Sequence, residues 1–202
     1  MDTLTAKAAT QVISPDYAPR AQRFEADAPK PAKLDYEGVK ENALQGLKNR
    51  VLQLLARIAP GSDLRVRLHR ARGVKIGKGV WIGYDVILET SRPHLVTIED
   101  GVSISMRATV IAHFKEFTGV RIEKEAFIGP GAIILPNVVV GKGAVIKAGS
   151  VVSQSVPPHT IVHGNPAVAV AKCDYSLSQE ISLKEFSRGV RPLNARSTKA
   201  GS

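Results

Sequence analysis

The chain is short of cysteine, aromatic residues, acids and long apolar runs, and each shortage closes something off. Cys173 is the single cysteine, so no intrachain disulfide and no cysteine-based zinc site can form. A reducing compartment fits. Aromatic residues make up 5%, which suits a core of small branched side chains better than one built on rings. No run reaches about 18 uninterrupted apolar residues, so no membrane-spanning helix is expected. The opening MDTLTAKAATQV lacks a basic stretch followed by an apolar one. No signal peptide is expected, and the expected location is cytoplasmic. Acidic residues number 18 against 28 lysines and arginines, a net charge of +10. That excess fits an anionic partner without choosing among nucleic acid, phosphorylated cofactor and acidic membrane. The basic residues are not interleaved with aromatic platforms, which argues against nucleic acid. They gather at Arg57, Arg65, Arg67, Arg70, Arg72, Lys75 and Lys78, and again in the last stretch of chain.

What is present divides the chain. Residues 1–36, with Pro15, Pro19, Pro29 and Pro31, read as an extended or disordered arm. Residues 37–60 read as an amphipathic helix. Val39, Ala43, Leu47, Val51, Leu54 or Leu55, and Ile58 recur at three- and four-residue steps, and Pro60-Gly61 stops them. Such a stripe needs something to lie on: the end of the main domain, another subunit or a membrane. In residues 64–72, Leu64, Val66 and Leu68 alternate with Arg65, Arg67 and His69, the pattern of a half-buried strand.

From Val74 a period of six takes over. Large aliphatics fall at Ile76, Ile82 and Leu88, then at Ile98, Ile104 and Val110. After a second break they run through Ile122, Ile128, Ile134, Val140, Ile146 and Val152. A small residue or valine stands four places after most of them, as at Val80, Val102, Ala108, Ala126, Ala132 and Ala144. Side chains alternate at period two in a strand, so six accommodates a short strand and a turn. Three hexads close an 18-residue triangular coil whose aliphatics point inward, and several coils must stack to bury a core. Residues 74–168 would supply about five coils. Hairpin signals are scarce; Asp100-Gly101 recurs in frame as a corner.

These hexads, and above all Ala148-Gly149-Ser150-Val151-Val152, Val156-Pro157-Pro158 and Gly164-Asn165-Pro166-Ala167, resemble the hexapeptide-repeat acyltransferases, which include galactoside, maltose, serine and capsular-sugar acetyltransferases. The resemblance implies an all-β fold: a left-handed parallel β-helix over residues 61–172, with polar tails and a basic stretch at 173–202. It also implies a homotrimer with grooves between neighbouring β-helices, and acetyl-CoA as acyl donor with no metal. The acceptor would be a small molecule, a sugar or a surface-polysaccharide precursor.

Acyl transfer from a thioester needs a base, a home for the developing oxyanion and a grip on CoA. Histidine is the usual base near neutral pH. His113 ends the frame Val110-Ile111-Ala112-His113 where the hexad rhythm breaks, and the resemblance puts the catalytic histidine at that junction. Glu116 is a candidate to orient it or bind acceptor. His94, 19 residues earlier, could stack beneath it and bind acceptor or cap a turn. Oxyanion donors would be the N–H groups of Gly129 and Gly131, since Pro130 between them has none. The resemblance points to Ala148 and Ser153 as groove lining, with Phe127 walling the pantetheine arm or simply packing. Lys147 or Lys172 would meet the phosphates. Ser153-Gln154 stands where the family often has Thr-Lys. The sugar-binding asparagine and aspartate of the galactoside enzymes have no clear counterpart in Ile104–Thr109. Two other readings stay open: a non-catalytic β-helix used for assembly, and a zinc enzyme like the β-helical carbonic anhydrases. The latter would need two further histidines beside His113.

Overall fold

The computed structural model describes residues 43–114, 117–177 and 181–193. The expected arm at 1–36 and the first part of the expected helix lie outside them. Two helices, α1 (Ala43–Ile58) and α2 (Ser62–Arg72), precede a parallel β-helix. Its first face stacks Lys75–Ile76, Val96–Ile98, Val120–Ile122 and Val138–Val140. The second stacks Trp81–Ile82, Ser103–Ile104, Phe127–Ile128, Val145–Ile146 and Thr160–His163. The third stacks Ile87–Leu88, Thr109–Val110, Ile133–Ile134 and Val151–Val152. Two of the three faces thus carry four strands, so the expected five coils overshoot.

The hexad rule works as the periodicity predicts. Ile82, Leu88, Ile98, Ile104, Ile122, Ile128, Ile134 and Ile146 point into the prism and are sealed from solvent. Val102, Ala108, Ala126, Ala132 and Ala144 fill the tighter corner positions. The corners stack as columns. Gly79, Gly101, Glu125 and Gly143 all take positive φ, as do Asp85, Arg107, Gly131 and Gly149 one corner on. After the first coil the corner N–H groups donate to the coil before: Gly101 to Lys78 O, Glu125 to Asp100 O, Gly131 to Met106 O, Gly149 to Pro130 O. At Gly129 the coils approach so closely that a Cβ would sit 2.6 Å from Ile146 O, so only glycine fits.

The first coil has no coil before it, and its outward-facing backbone groups need other partners. The helices supply them. Ile82 N–H donates to Ser62 Oγ (2.8 Å) and Arg65 Nε donates to Ile82 O (2.7 Å). Gln53 Nε2 donates to Val86 O (3.1 Å) and Arg72 Nη1 to Leu88 O (2.9 Å). The polar side of α1, centred on Asn49, Gln53 and Ala56, is therefore the buried side. The apolar stripe expected to pack is turned outward: Leu44, Leu47, Val51, Leu54, Leu55 and Ile58 are all exposed, Ile58 at 69%.

The same demand overturns the strand expected over residues 64–72. Arg65, Val66, His69 and Arg72 are the buried positions, and their steps are helical. The alternation of Leu64, Val66 and Leu68 misleads because guanidiniums, not leucines, are the groups this surface takes in. Gly73, at φ 105, ends α2 with its N–H on Arg70 O, in the left-handed conformation glycine permits at a helix end.

Residues 173–193 depart from the expected trailing tail. Val168–Cys173 pairs antiparallel with Thr160–His163, and Val190–Pro192 pairs antiparallel with Val168–Cys173. Helix α3 (Leu183–Arg188), capped by Ser182, buries Phe186 against a patch that includes Val145, Ile161, Ala171 and Cys173.

Arg65→Met would leave Ile82 O and Ala59 O without their donor and should lower the unfolding free energy by about 3 kcal/mol. Leu47→Gln on the outward stripe should change it by less than about 0.5 kcal/mol. Urea denaturation of both variants checks the contrast.

Candidate active site

Stacking register locates the site. On the first face Ile76 lies beneath Ile98, Ile98 beneath Ile122 and Ile122 beneath Val140, steps of 22, 24 and 18 residues. The first two coils carry four and six extra residues, and both insertions fall at the corner between third and first faces. One is the stretch after Leu88 with a short 3-10 turn, Pro93–Leu95. The other opens with a hairpin pairing His113–Phe114 with Phe117–Thr118. Successive coils superpose these two insertions.

Their contact is between Glu89 and His113. Nδ1 of His113 lies 2.8 Å from Oε1 of Glu89; the glutamate side chain is 1% exposed and the imidazole 33%. Glu89 Oε1 also accepts from Ser91 N–H (2.9 Å) and Arg92 N–H (3.2 Å), and Oε2 from Ala112 N–H (2.8 Å). Burial alone would raise the pKa of this carboxyl. The His113 contact and the three backbone donors outweigh it, and the carboxyl titrates below its ordinary 4.5.

The backbone at Glu89 is held as firmly as its side chain. Its φ of 25 is a conformation non-glycine residues rarely adopt. Its N–H donates to Val110 O (2.8 Å), and its carbonyl accepts from Arg72 Nη2 (2.6 Å). Arg72 also bonds Asn49 O, Leu88 O and the Gln53 side chain. Burial lowers its pKa to about 10, with Glu89 pulling the other way, so it is a cation at neutral pH. His69 Nδ1 sits 3.2 Å from Arg72 Nη1. Burial, then Arg72, holds that imidazole down to about 3, so it is neutral and accepts through Nδ1.

The other expected residues divide. Glu116 lies outside the described residues; among those described, the carboxylate on His113 is Glu89. His94 is exposed on the Pro93–Leu95 turn. Gly129 N–H donates to Ile146 O (2.8 Å) and Gly131 N–H to Met106 O (3.0 Å). Both N–H groups are engaged in the coil ladder. Phe127 is half-buried and packs against the patch under α3. Lys147 and Ala148 are exposed at the corner between second and third faces, whereas Ser153 is exposed at the His113 corner. Lys172 Nζ donates to Thr160 Oγ1 (2.8 Å). His159 packs its ring where a Cβ on Gly143 would stand, 2.7 Å from Cε1.

Glu89 and Arg72 are what the sequence reading missed. The signal was there: Leu88 and Val110 are paired hexad positions, so the residues following them adjoin across the coils. Counting back from His113 by one nominal coil reached His94 instead, because the coil is lengthened by its insertion.

A profile described as bacterial transferase hexapeptide (six repeats) matches residues 119–154. The YvoF protein of Bacillus subtilis, which carries a provisional acetyltransferase name, is 31% identical over 129 residues, 61% of this chain and 75% of that protein. The chain belongs to the hexapeptide-repeat transferase family. The serine acetyltransferase of Salmonella typhimurium is 40% identical over 116 residues, covering 54% of this chain and 40% of that enzyme. The chain thus spans less than half the length of that hexapeptide relative. A hexapeptide-repeat acetyltransferase from Vibrio cholerae, crystallised with acetyl-CoA, shares the fold at a TM-score of 0.52 and 19% identity, over 68% of this chain and 92% of that one.

Because the folded pKa of Glu89 is depressed, its contribution to stability is complete above the unfolded value and is lost as pH falls through the folded one. Denaturation midpoints measured from pH 7 down to about 3 should fall below 4.5 in the wild type. Glu89→Gln should start lower and lose less across that window.

Proposed function

We propose that this protein transfers an acetyl group from acetyl-CoA to a hydroxyl or amine of a small acceptor, with His113 as general base. The observation that carries the reading is the buried Glu89 carboxylate on His113 Nδ1. It fixes the ring's orientation and leaves Nε2 as the proton acceptor. Nε2 takes the acceptor's proton as its oxygen or nitrogen attacks the thioester carbonyl. The tetrahedral intermediate collapses by breaking the C–S bond, and the imidazolium returns the proton to the departing thiolate. Glu89 acts as a positioning residue: held by backbone donors, it orients the ring through Nδ1 without itself taking a proton.

The acyl donor's route rests on exposed residues at two corners, Lys147 and Ala148 at one and Ser153 at the other. Lys147 is the better cation for a phosphate, since Lys172 is engaged with Thr160. A trimer with a groove between neighbours would bring such corners of two protomers together. Among acceptors, a hydroxyl is favoured: sugars are the family-based expectation, and the serine acetyltransferases, 40% identical over their shared span, are named for a hydroxyl amino acid.

Release of free thiol from acetyl-CoA, measured against a panel of sugars, serine and simple amines, tests the reading. His113→Ala should lower the rate by about 10²–10⁴-fold, and Glu89→Gln by less. Equal rates for wild type and His113→Ala would remove His113 from the chemistry. Calorimetry without any CoA binding would favour the assembly reading.

A further inference from the structure

The outward face of α1 has a composition that the acyl-transfer reading leaves unused. Successive residues turn about 100° around a helix. Leu44, Leu47, Val51, Leu54, Leu55 and Ile58 therefore share an arc of about 100°, diametrically opposite the buried Asn49, Gln53 and Ala56. Lys48 borders one side of that arc and Arg50 the other, and both are exposed. Residues 43–58 contain no acid at all; their third cation, Arg57, is paired with Asp85 at 2.6 Å. Leu64 and Arg67 of α2 add an exposed leucine and an exposed cation to the same cap. Among the described residues no helix is long and apolar enough to cross a membrane, so α1 would have to lie along a surface.

We propose that α1 docks this end of the β-helix flat on an anionic lipid surface. The aliphatic stripe enters the boundary between headgroups and acyl chains, and Lys48 and Arg50 meet the headgroup phosphates. Charge complementarity selects lipid over a second copy. Two such stripes packed face to face would bring their lysine and arginine borders together with no acidic residue on either helix to oppose them. The polar side is already spent on the first coil's backbone, so the helix can bind lipid without unfolding anything. The docking is independent of whether the protein transfers acetyl groups.

The test is co-sedimentation of the full chain with phosphatidylcholine vesicles, plain or containing about 30% phosphatidylglycerol. Wild type should partition onto the anionic vesicles and be released by about 0.5 M NaCl. The double variant Leu47→Glu/Val51→Glu should lose about tenfold or more in partition. Lys48→Glu/Arg50→Glu should lose the preference for anionic vesicles. Both pairs are exposed, and circular dichroism verifies that each variant is folded. Wild type staying in solution with both vesicles overturns the proposal, the result expected if residues 1–42 or another copy cover the stripe. So does a Leu47→Glu/Val51→Glu variant that partitions like wild type. So, too, does sedimentation equilibrium in which that variant breaks up a wild-type assembly while its partition is unchanged.

Discussion

A parallel coil leaves one edge of its first rung facing nothing. The two described helices that precede it, α1 and α2, answer that condition. Each later coil hands its backbone groups to its neighbours, but Ile82, Val86 and Leu88 have no rung before them, and burial beneath helices denies them water. Their partners are the side chains of Ser62, Arg65, Gln53 and Arg72. A cap that supplies donors must point its polar residues inward, and an amphipathic helix that does so has its apolar side left over. The exposed leucines of α1 are thus a consequence of how a β-helix begins.

The same rigidity makes the site. Coils stacked at fixed register leave little freedom over where an insertion emerges. Two insertions at one corner of consecutive coils must lie against each other, and a carboxylate from the first meets an imidazole from the second. Glu89 is fixed from three directions. Its N–H is held by Val110, its carbonyl by Arg72, and its side chain by Ala112, Ser91, Arg92 and His113. A positive φ at a glutamate persists because these contacts over-determine it. Pre-organisation of this kind matters for proton transfer, where orientation of the ring must be set before the acceptor arrives.

The solenoid was legible because its rule is strict. Period six reports inward aliphatics: every anchor from Ile82 to Val152 is buried, and Ile76, the anchor of the first coil's first strand, is half-buried. His113, the proposed base, stands where the rhythm breaks, the junction at which the family resemblance puts the catalytic histidine. Glu89 was harder: an insertion changes the coil length, so a fixed count misses the residue that ends up opposite. Helix α2 was misread because hydropathy assigns arginine to solvent, and Arg65 and Arg72 are nearly sealed. For α1 the stripe was seen, but that it turns away from the end of the β-helix was not, since no pattern of hydrophobicity records the hydrogen-bonding demand of a neighbouring edge. The sequence likewise does not record that the N–H groups of Gly129 and Gly131 are taken by neighbouring coils. Gly129 is glycine because the coils approach closely there, and Gly131 because its φ is positive, with open space where a Cβ would stand.

Arg72 joins the two halves of this account. One guanidinium closes the edge at Leu88 O, holds the carbonyl of Glu89, and bonds Asn49 O and the Gln53 side chain on α1. It remains charged although buried, beside a histidine that burial keeps neutral. A neutral long side chain in its place could fill the volume but could not serve carbonyls from a helix, a strand and a turn at once. The cap therefore does more than cover the prism. It fixes the turn from which Glu89 reaches His113, so the placement of the imidazole depends on the helices as much as on the coils.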